Sequence, residues 1–516
     1  MMKKFRKLMS LLLVIVMIAA LSAAAFAEDG RTSSVKVQIG GDVGTMAPWA
    51  PDGNGRTNVF PEIYETLFYQ KTLGGDAVPL LAKGYDEVSE TEYRIHLNEN
   101  IYDTAGNHIT ASDVVFSYVT CTEEGNQKPY VGNIESITAE DDYTINLKLI
   151  TAGVGALQDA ICSVRIVSEK AYTEDKMGTM PVATGPYMLK EWVTGSTITL
   201  VKNENYWADG NRAEISQANV DEIIYKVITE PSQIMISLQN GEIDYSGAVS
   251  QADIHHFLEG GDLADSYLVK AQPATLAQVL FFNCSEGNPF ADVRMRQAVS
   301  YAIDNEAVLE GAYEGRGAVS HAFACEKSAD YQEGWKSEEY YEYNPEKAKE
   351  LIKEAGYDKG LKVRLICDAL PPHVMMAQII QLYLGQVGID VEISSYDDAL
   401  FNTYRYDPTQ WDLHINNKAG AFVVQQWQYS LDARFFGGAT CNFLVDEHWQ
   451  ELFETASALK THTPENLDAA WHYLKEINPV YSICFSYDYF IGNKLFESFY
   501  LTDKDFLIPG ACVYAN

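Results

Sequence analysis

The segment from Asn344 to Tyr396 constrains the fold more than any other stretch of this chain. Asn344 precedes a helix that opens on Pro345 and stops at Gly356, and the strand "LKVRLICD" follows. A second helix, "HVMMAQIIQLYLGQVG", leads into a second strand, "IDVEISSYD". Helix, strand, helix, strand with short connections requires parallel pairing with helices laid across the sheet, so this part is an α/β domain. Upstream the pattern is mixed. "SVKVQIGGD", "YRIHLNE", "TINLKLI" and "STITLVKN" alternate as strands, and "NVFPEIYETLFYQ" predicts a helix. No internal repeat and no low-complexity linker separates the two parts. They are therefore expected to be joined by strands, which suits a hinge better than a tether.

The first 27 residues stand apart from this pattern. Lys3, Lys4, Arg6 and Lys7 precede an apolar run from Leu8 to Ala25, and Ala25-Phe26-Ala27 is a small-x-small cleavage site. A secretory signal peptide, residues 1–27, is expected, with no cysteine beside the site for lipid attachment; the apolar run is also just long enough for an uncleaved membrane anchor, but the cleavage site and the charged continuation favour removal. Loss of its four basic residues takes the net charge from −34 to −38. A field of that sign repels nucleic acid and anionic lipid. Eight cysteines form no CxxC pair, so zinc ribbons and redox motifs are poor readings. Export permits disulfides, yet a chain this long does not need them, and Cys367 in "KVRLIC" reads as a buried thiol.

A search for reaction chemistry finds no HExxH, GxSxG, Walker or GxGxxG motif. His255-His256 is the only adjacent histidine pair and faces two ways on a helix, which makes a metal site there a poor reading. Carboxylates are too numerous to single out an acid–base pair, and no nucleophile with a base is evident, which disfavours a hydrolase. Neither cofactor nor metal is expected.

One segment combines arginine with an apolar helix: "LFFNCSEGNPFADVRMRQAVSYAIDNEAVLEGAYEGRG". Asp292 is placed to cap a helix whose apolar face carries Met295, Ala298, Val299, Ala302 and Ile303. Arg294 and Arg296 fall in its first turn, where the dipole disfavours positive charge, so pairing with neighbouring carboxylates and a structural role are expected. "ATGPY" is turn chemistry expected near the hinge. The long segment resembles the signature region of the family 5 solute-binding proteins, the dipeptide and oligopeptide receptors of ATP-binding-cassette importers. "VPLLAKGYDEVSETEYRIHLNENIYDTAGNHITASDVVFSY", "VATGPYMLKEW", "VKNENYW", "VDEIIYKVI", "SLQNGEIDY", "YNPEKAKELIKEAGY" and "GIDVEI" occur in that family's order.

The resemblance implies an α/β, two-lobed periplasmic-binding-protein fold of type II, similar to cluster C, with an extra subdomain in the first lobe. Lobe I is expected to comprise 28–60, 180–270 and 489–516, the extra subdomain 61–179, and lobe II 271–488. It further implies a monomeric, non-enzymatic receptor outside the cytoplasmic membrane that closes on a peptide or peptide-like solute and delivers it to a membrane permease. A same-fold receptor for an oligosaccharide, metal chelate or opine, or a sensor or adhesin, is the alternative.

Peptide-binding members hold the peptide's amino terminus with an aspartate shortly after a tryptophan, in a loop after a strand. Here the strand resembles "WDLHINN" and the loop "KAGAFVVQQWQYSLDARFF", yet Ala419 to Gln426 contain no acid, and Asp432 comes only later. Arg56 stands where some members carry a second acid. An ammonium buried without its partner costs several kcal/mol, so an amine-independent cleft is expected. The candidate ligand contacts are Trp49, Arg56, Phe116, Asn416, Lys418, Gln426, Trp427 and Tyr429. Trp49 suits stacking or a surface plug, Phe116 an aromatic cleft wall or the core, and Arg56 a bidentate carboxylate contact or the surface. The amides and aromatics of residues 416–429 suit neutral, extended ligands such as blocked peptides or oligosaccharides.

Overall fold

A computed structural model describes residues 33–50, 55–124, 131–174, 177–208, 213–432, 442–501 and 507–515. The expected signal peptide lies outside them. Eleven strands form one sheet: β1 (Ser34–Ile39), β2 (Tyr187–Val193), β3 (Thr197–Lys202), β4 (Glu222–Val227), β5 (Tyr245–Ser246), β6 (Tyr267–Phe282), β7 (Gly317–Val319), β8 (Leu361–Asp368), β9 (Ile389–Tyr396), β10 (Leu413–Lys418) and β11 (Val480–Asn493). Their order is β9-β8-β10-β6-β11-β5-β1-β4-β3-β2, with β7 added beside β11. β8 pairs in parallel with β9 and β10, as the helix–strand alternation requires. Around residues 34–39 the sheet is mixed, with β1 parallel to β4 and β5 and β4 antiparallel to β3.

β6 and β11 hold the two ends of this sheet together. They run antiparallel from Tyr267 opposite Asn493 to Phe281 opposite Val480. β5 meets only the far end of β11, at Ile491 and Gly492, whereas β10 meets only the near half of β6, from Ala277 to Phe282. Between the two attachments the register breaks, from Pro273 opposite Tyr487 to Ala277 opposite Phe485. Proline lacks a ladder donor, so the break falls where a strand pair tolerates one. Separate cores lie on either side. One gathers Leu280, Met295, Leu365, Met376, Ile415, Trp427 and Trp471; the other gathers Val37, Trp49, Phe60, Tyr118, Leu147, Leu200 and Tyr225. The second extends over a four-stranded antiparallel sheet of residues 82–89, 92–97, 144–149 and 134–141.

Local sequence chemistry accounts for most elements. Asn344 accepts from the amide of Lys347, the helix spans Pro345–Glu354, and Gly356 takes φ +89°. Asp292 accepts from the amide of Arg294 at the start of Val293–Ala302. Arg294 pairs with Asp292 at 2.6 Å as expected, but Arg296 finds no carboxylate among the described residues. Its buried guanidinium donates to the carbonyls of Phe290 (2.8 Å), Ala291 (3.0 Å), Ile477 and Asn478 (3.1 Å). The last two end the helix Pro464–Ile477, whose negative dipole end receives the charge that the first turn of its own helix would reject.

Two further expectations are corrected. The helix predicted over "NVFPEIYETLFYQ" covers only α1 (Arg56–Ile63), and Phe68–Gln70 is a strand. Neighbouring segments claim the carbonyls that would extend it: Ile63 accepts from Gly185, and Glu65 from Ile166. "ATGPY" is a turn, but it leads into β2 at the outer edge of the sheet, five strands from β11. A Cβ on Gly185 would sit 2.2 Å from the Ile63 carbonyl oxygen, so glycine there serves close packing on α1. Cys284, Cys325, Cys367, Cys484 and Cys512 are buried free thiols, and Cys441 lies outside the described residues. Among the described residues no helix is long and apolar enough to cross a membrane.

Candidate functional site

Strand directions place a crevice. β5 descends along β11 from Gly492 to Ile491, and β1 runs parallel to β5, so the carboxyl end of β1 points toward the register break. β10 climbs the other half, from Leu413 opposite Phe282 to Lys418 opposite Ala277, and β8 and β9 run with it. The carboxyl ends of β1, β4 and β5 therefore face those of β8, β9 and β10 across the break in the crossing strands. Ligands of open α/β sheets bind outside carboxyl strand ends, where backbone groups and loop side chains are left unpaired by the sheet.

Asn416 and Lys418 lie at that edge on β10. The Asn416 side-chain oxygen accepts from the Asn417 amide at 2.8 Å, while its Nδ2 is buried with no hydrogen-bond partner among the described residues. The Lys418 Nζ sits 5.7 Å from the centre of the Phe281 ring, whose plane stacks on buried His414 at 4.7 Å. Burial, with the charges of Arg405 and Lys418, holds His414 neutral.

The stretch expected as a ligand loop after β10 is mostly helix. Among its described residues Ala419–Phe422 and Asp432 lie outside the helix, and Val423–Leu431 is helical because Val423, Val424, Trp427 and Leu431 share a face that packs into the core. Trp427 is fully buried, its indole N–H donating to the Phe323 carbonyl at 2.8 Å and its ring packed against Trp335 and Trp449. Gln426 is also buried; its Oε1 accepts from the Cys325 amide at 2.9 Å, and its Nε2 has no partner among the described residues. Tyr429 is the exposed member of the set, at 36%. Asp432 is buried at the end of the helix.

Trp49 and Phe116 come together on the other side, with ring centres 6.3 Å apart around Tyr172. Trp49 is fully buried and donates to the Arg165 carbonyl at 2.9 Å, so its contacts are those of a core residue. Arg56 is not in the loop but opens α1, and its buried guanidinium donates to the Val43 carbonyl, folding the loop after β1 back on itself.

Sequence reasoning missed an acid at the carboxyl end of β8. Asp368 Oδ1 accepts from the Leu370 amide at 3.0 Å and lies 2.8 Å from His373 Nδ1, whose Nε2 lies 2.8 Å from Gln278 Oε1 on β6. The imidazole is 3% exposed and ties β8 to a crossing strand. An acid closing a strand just before the Pro-Pro helix start was the available signal. Also missed were groups that meet across the crevice. Gln425 Nε2 donates to Asp159 Oδ2 at 3.0 Å, and the Val154 amide to the Ser457 carbonyl at 3.1 Å. His255 and His256 occupy a single short turn, and His256 pairs with Asp262. No cluster of potential metal ligands occurs among the described residues.

The family model described as bacterial extracellular solute-binding proteins, family 5 Middle, matches residues 76–437. The dipeptide-binding protein of Escherichia coli is 25% identical over 372 residues, 65% of this chain and 66% of that protein. Heme-binding protein A of Haemophilus influenzae is 24% identical over 373 residues, 66% of this chain and 65% of its own. The chain thus spans just under two thirds of the length of these relatives. The substrate-binding protein CtaP of Listeria monocytogenes superposes with a TM-score of 0.80 at 19% identity, covering 95% of this chain and 100% of that one. The oligopeptide-binding protein AppA of Bacillus subtilis, solved with a nonapeptide, gives 0.75 at 18%, covering 94% and 100%. These likenesses give the fold: a two-lobed solute-binding architecture.

Proposed function

The chain belongs to the bacterial extracellular solute-binding proteins of family 5, and from that premise we propose that it is the receptor of an ATP-binding-cassette importer that captures a peptide or peptide-like solute. The observation that carries this reading is the pair of facing carboxyl edges across the register break of β6 and β11. A ligand held between them touches both halves only when they approach, so binding free energy is spent on closure. In this proposal lobe I comprises 28–60, 180–270 and 489–516, with 61–179 as its subdomain, and 271–488 is lobe II. The closed, loaded receptor is handed to a membrane permease outside the cytoplasm, and the chain catalyses no reaction.

The buried Asn416 Nδ2 supports a ligand rich in carbonyl acceptors. Burying an amide donor without an acceptor costs about 1–3 kcal/mol, which a peptide carbonyl at the carboxyl edge of β10 would recover. Lys418 beside it favours an anionic or polar end of the ligand over a cationic one. Calorimetric titration with one tripeptide and its N-acetyl form, after unfolding and refolding to strip bound cargo, tests both parts. Equal binding is expected. A loss of roughly ten- to hundredfold on acetylation, the worth of a hydrogen bond to a charged group, would instead assign the anchor to an acid such as Asp368 or Asp432. Binding of neither form, with an oligosaccharide retained in native mass spectrometry of the unstripped protein, would overturn the peptide assignment.

A further inference from the structure

The two halves touch along a seam beside the crevice, and its residues are shaped for one another. On the subdomain side are Gly74, Val154, Gly155 and Asp159; on the other are Ala421, Phe422, Gln425 and Ser457. Gly155 (φ +79°) caps the helix Ala156–Cys162, and a Cβ there would lie 2.4 Å from Gln425 Nε2 and 3.0 Å from Phe422 Cδ2. Gly74 (φ +70°) approaches so closely that its Cβ would meet the Ala421 carbonyl oxygen at 2.3 Å. Both positions need glycine twice over, for conformation and for contact. The polar centre is Asp159 with Gln425. The amide oxygen of Gln425 accepts from the Phe422 amide at 3.3 Å and its Nε2 donates to Asp159, so a carboxylate from one half sits at the amino end of a helix in the other. Asp330 adds a second carboxylate there, accepting from the Val423 amide at 2.6 Å. Lys460 and Glu90 add an exposed pair at 2.8 Å.

We propose that this seam is a latch: the Asp159–Gln425 hydrogen bond biases the two lobes toward the closed arrangement whether or not cargo is present, and so slows both loading and release. A group that touches only the opposite lobe changes the open-to-closed ratio without changing any ligand contact. Loss of a hydrogen bond to a charged acceptor is expected to raise that ratio about tenfold or more. Small-angle scattering of the cargo-stripped protein reads this directly and does not depend on what the cargo is, so its failure is separable from failure of the peptide assignment. Wild type is expected to be compact. Asp159→Ala should expand it, Gln425→Ala should expand it equally, and the double variant should go no further, since the same bond across the seam is lost in all three. Asp159→Asn keeps an acceptor and should stay closer to wild type, which decides the matter if the alanine variant melts early. A wild type as extended as Asp159→Ala, or single effects that add in the double variant, would overturn the latch.

Discussion

Glu62 makes the stability of the protein depend on pH in a way that one substitution isolates. The side chain leaves α1 into the core under the C-terminal segment and is fully buried. Its Oε1 accepts from the Gly510 amide at 3.2 Å, and its Oε2 has no hydrogen-bond partner among the described residues. Burial pushes its pKa up to about 8 from an ordinary 4.5. The folded protein therefore holds a proton on Glu62 that the unfolded chain has released over that interval, so stability falls as pH rises from about 4.5 to about 8. At about 1.4 kcal/mol per unit, the full loss is on the order of 3–5 kcal/mol. Glu65 has the same sign but ends sooner: burial raises it to about 7, against the hydrogen bonds from Tyr206 (2.5 Å) and Trp207 (2.8 Å) that favour its charge. Glu62→Gln keeps the acceptor for Gly510 and removes the titration. In urea unfolding followed from pH 5 to 9, the variant is expected to gain on wild type steadily up to about pH 8 and to run parallel above it. It should retain the part of the slope below pH 7 that belongs to Glu65. Curves that stay parallel throughout would refute the assignment of a buried, proton-bearing Glu62.

Arg296→Ala should cost roughly 3 kcal/mol or more, because it leaves four carbonyls short of a donor, those of Phe290 and Asn478 buried, yet the affinity of the folded fraction should stay within twofold; lost binding at unchanged melting temperature would make it a ligand contact. Burial pushes Cys367, Cys484 and Cys512 up to about 12, so all three should resist a thiol reagent at pH 8 in the native state and react on denaturation, as peptide mapping of the labelled protein will show. Gly185→Ala should destabilise the protein by more than 1 kcal/mol, read from the same urea curves, since its Cβ would meet the Ile63 backbone at 2.2 Å.

What was legible in the sequence is what local chemistry decides. The Asn344 cap, the Gly356 stop and the parallel strands after them follow from residues within a few positions of one another. The helix from Val293 was legible for the same reason, but the partners of Arg296 were not. Carbonyls bear no sequence signature, and those that receive its guanidinium include two 181 and 182 residues away. The α1 boundary failed likewise: Gly185 and Ile166, which take the carbonyls of Ile63 and Glu65, are set by tertiary packing alone. At the candidate site the family pattern pointed to the strand end that Asn416 and Lys418 close, but it treated the following residues as a loop. The apolar spacing of Val423, Val424, Trp427 and Leu431 was visible and argued for a helix. That difference matters for mechanism. A flexible loop meets a ligand by adapting to it, whereas a capped helix carries Gln425 at a fixed position against Asp159. Gln425, inside the acid-free stretch, thus serves the approach of the two lobes in the latch we propose, and the proposed receptor reads its solute along the short edge of Asp368, Asn416 and Lys418.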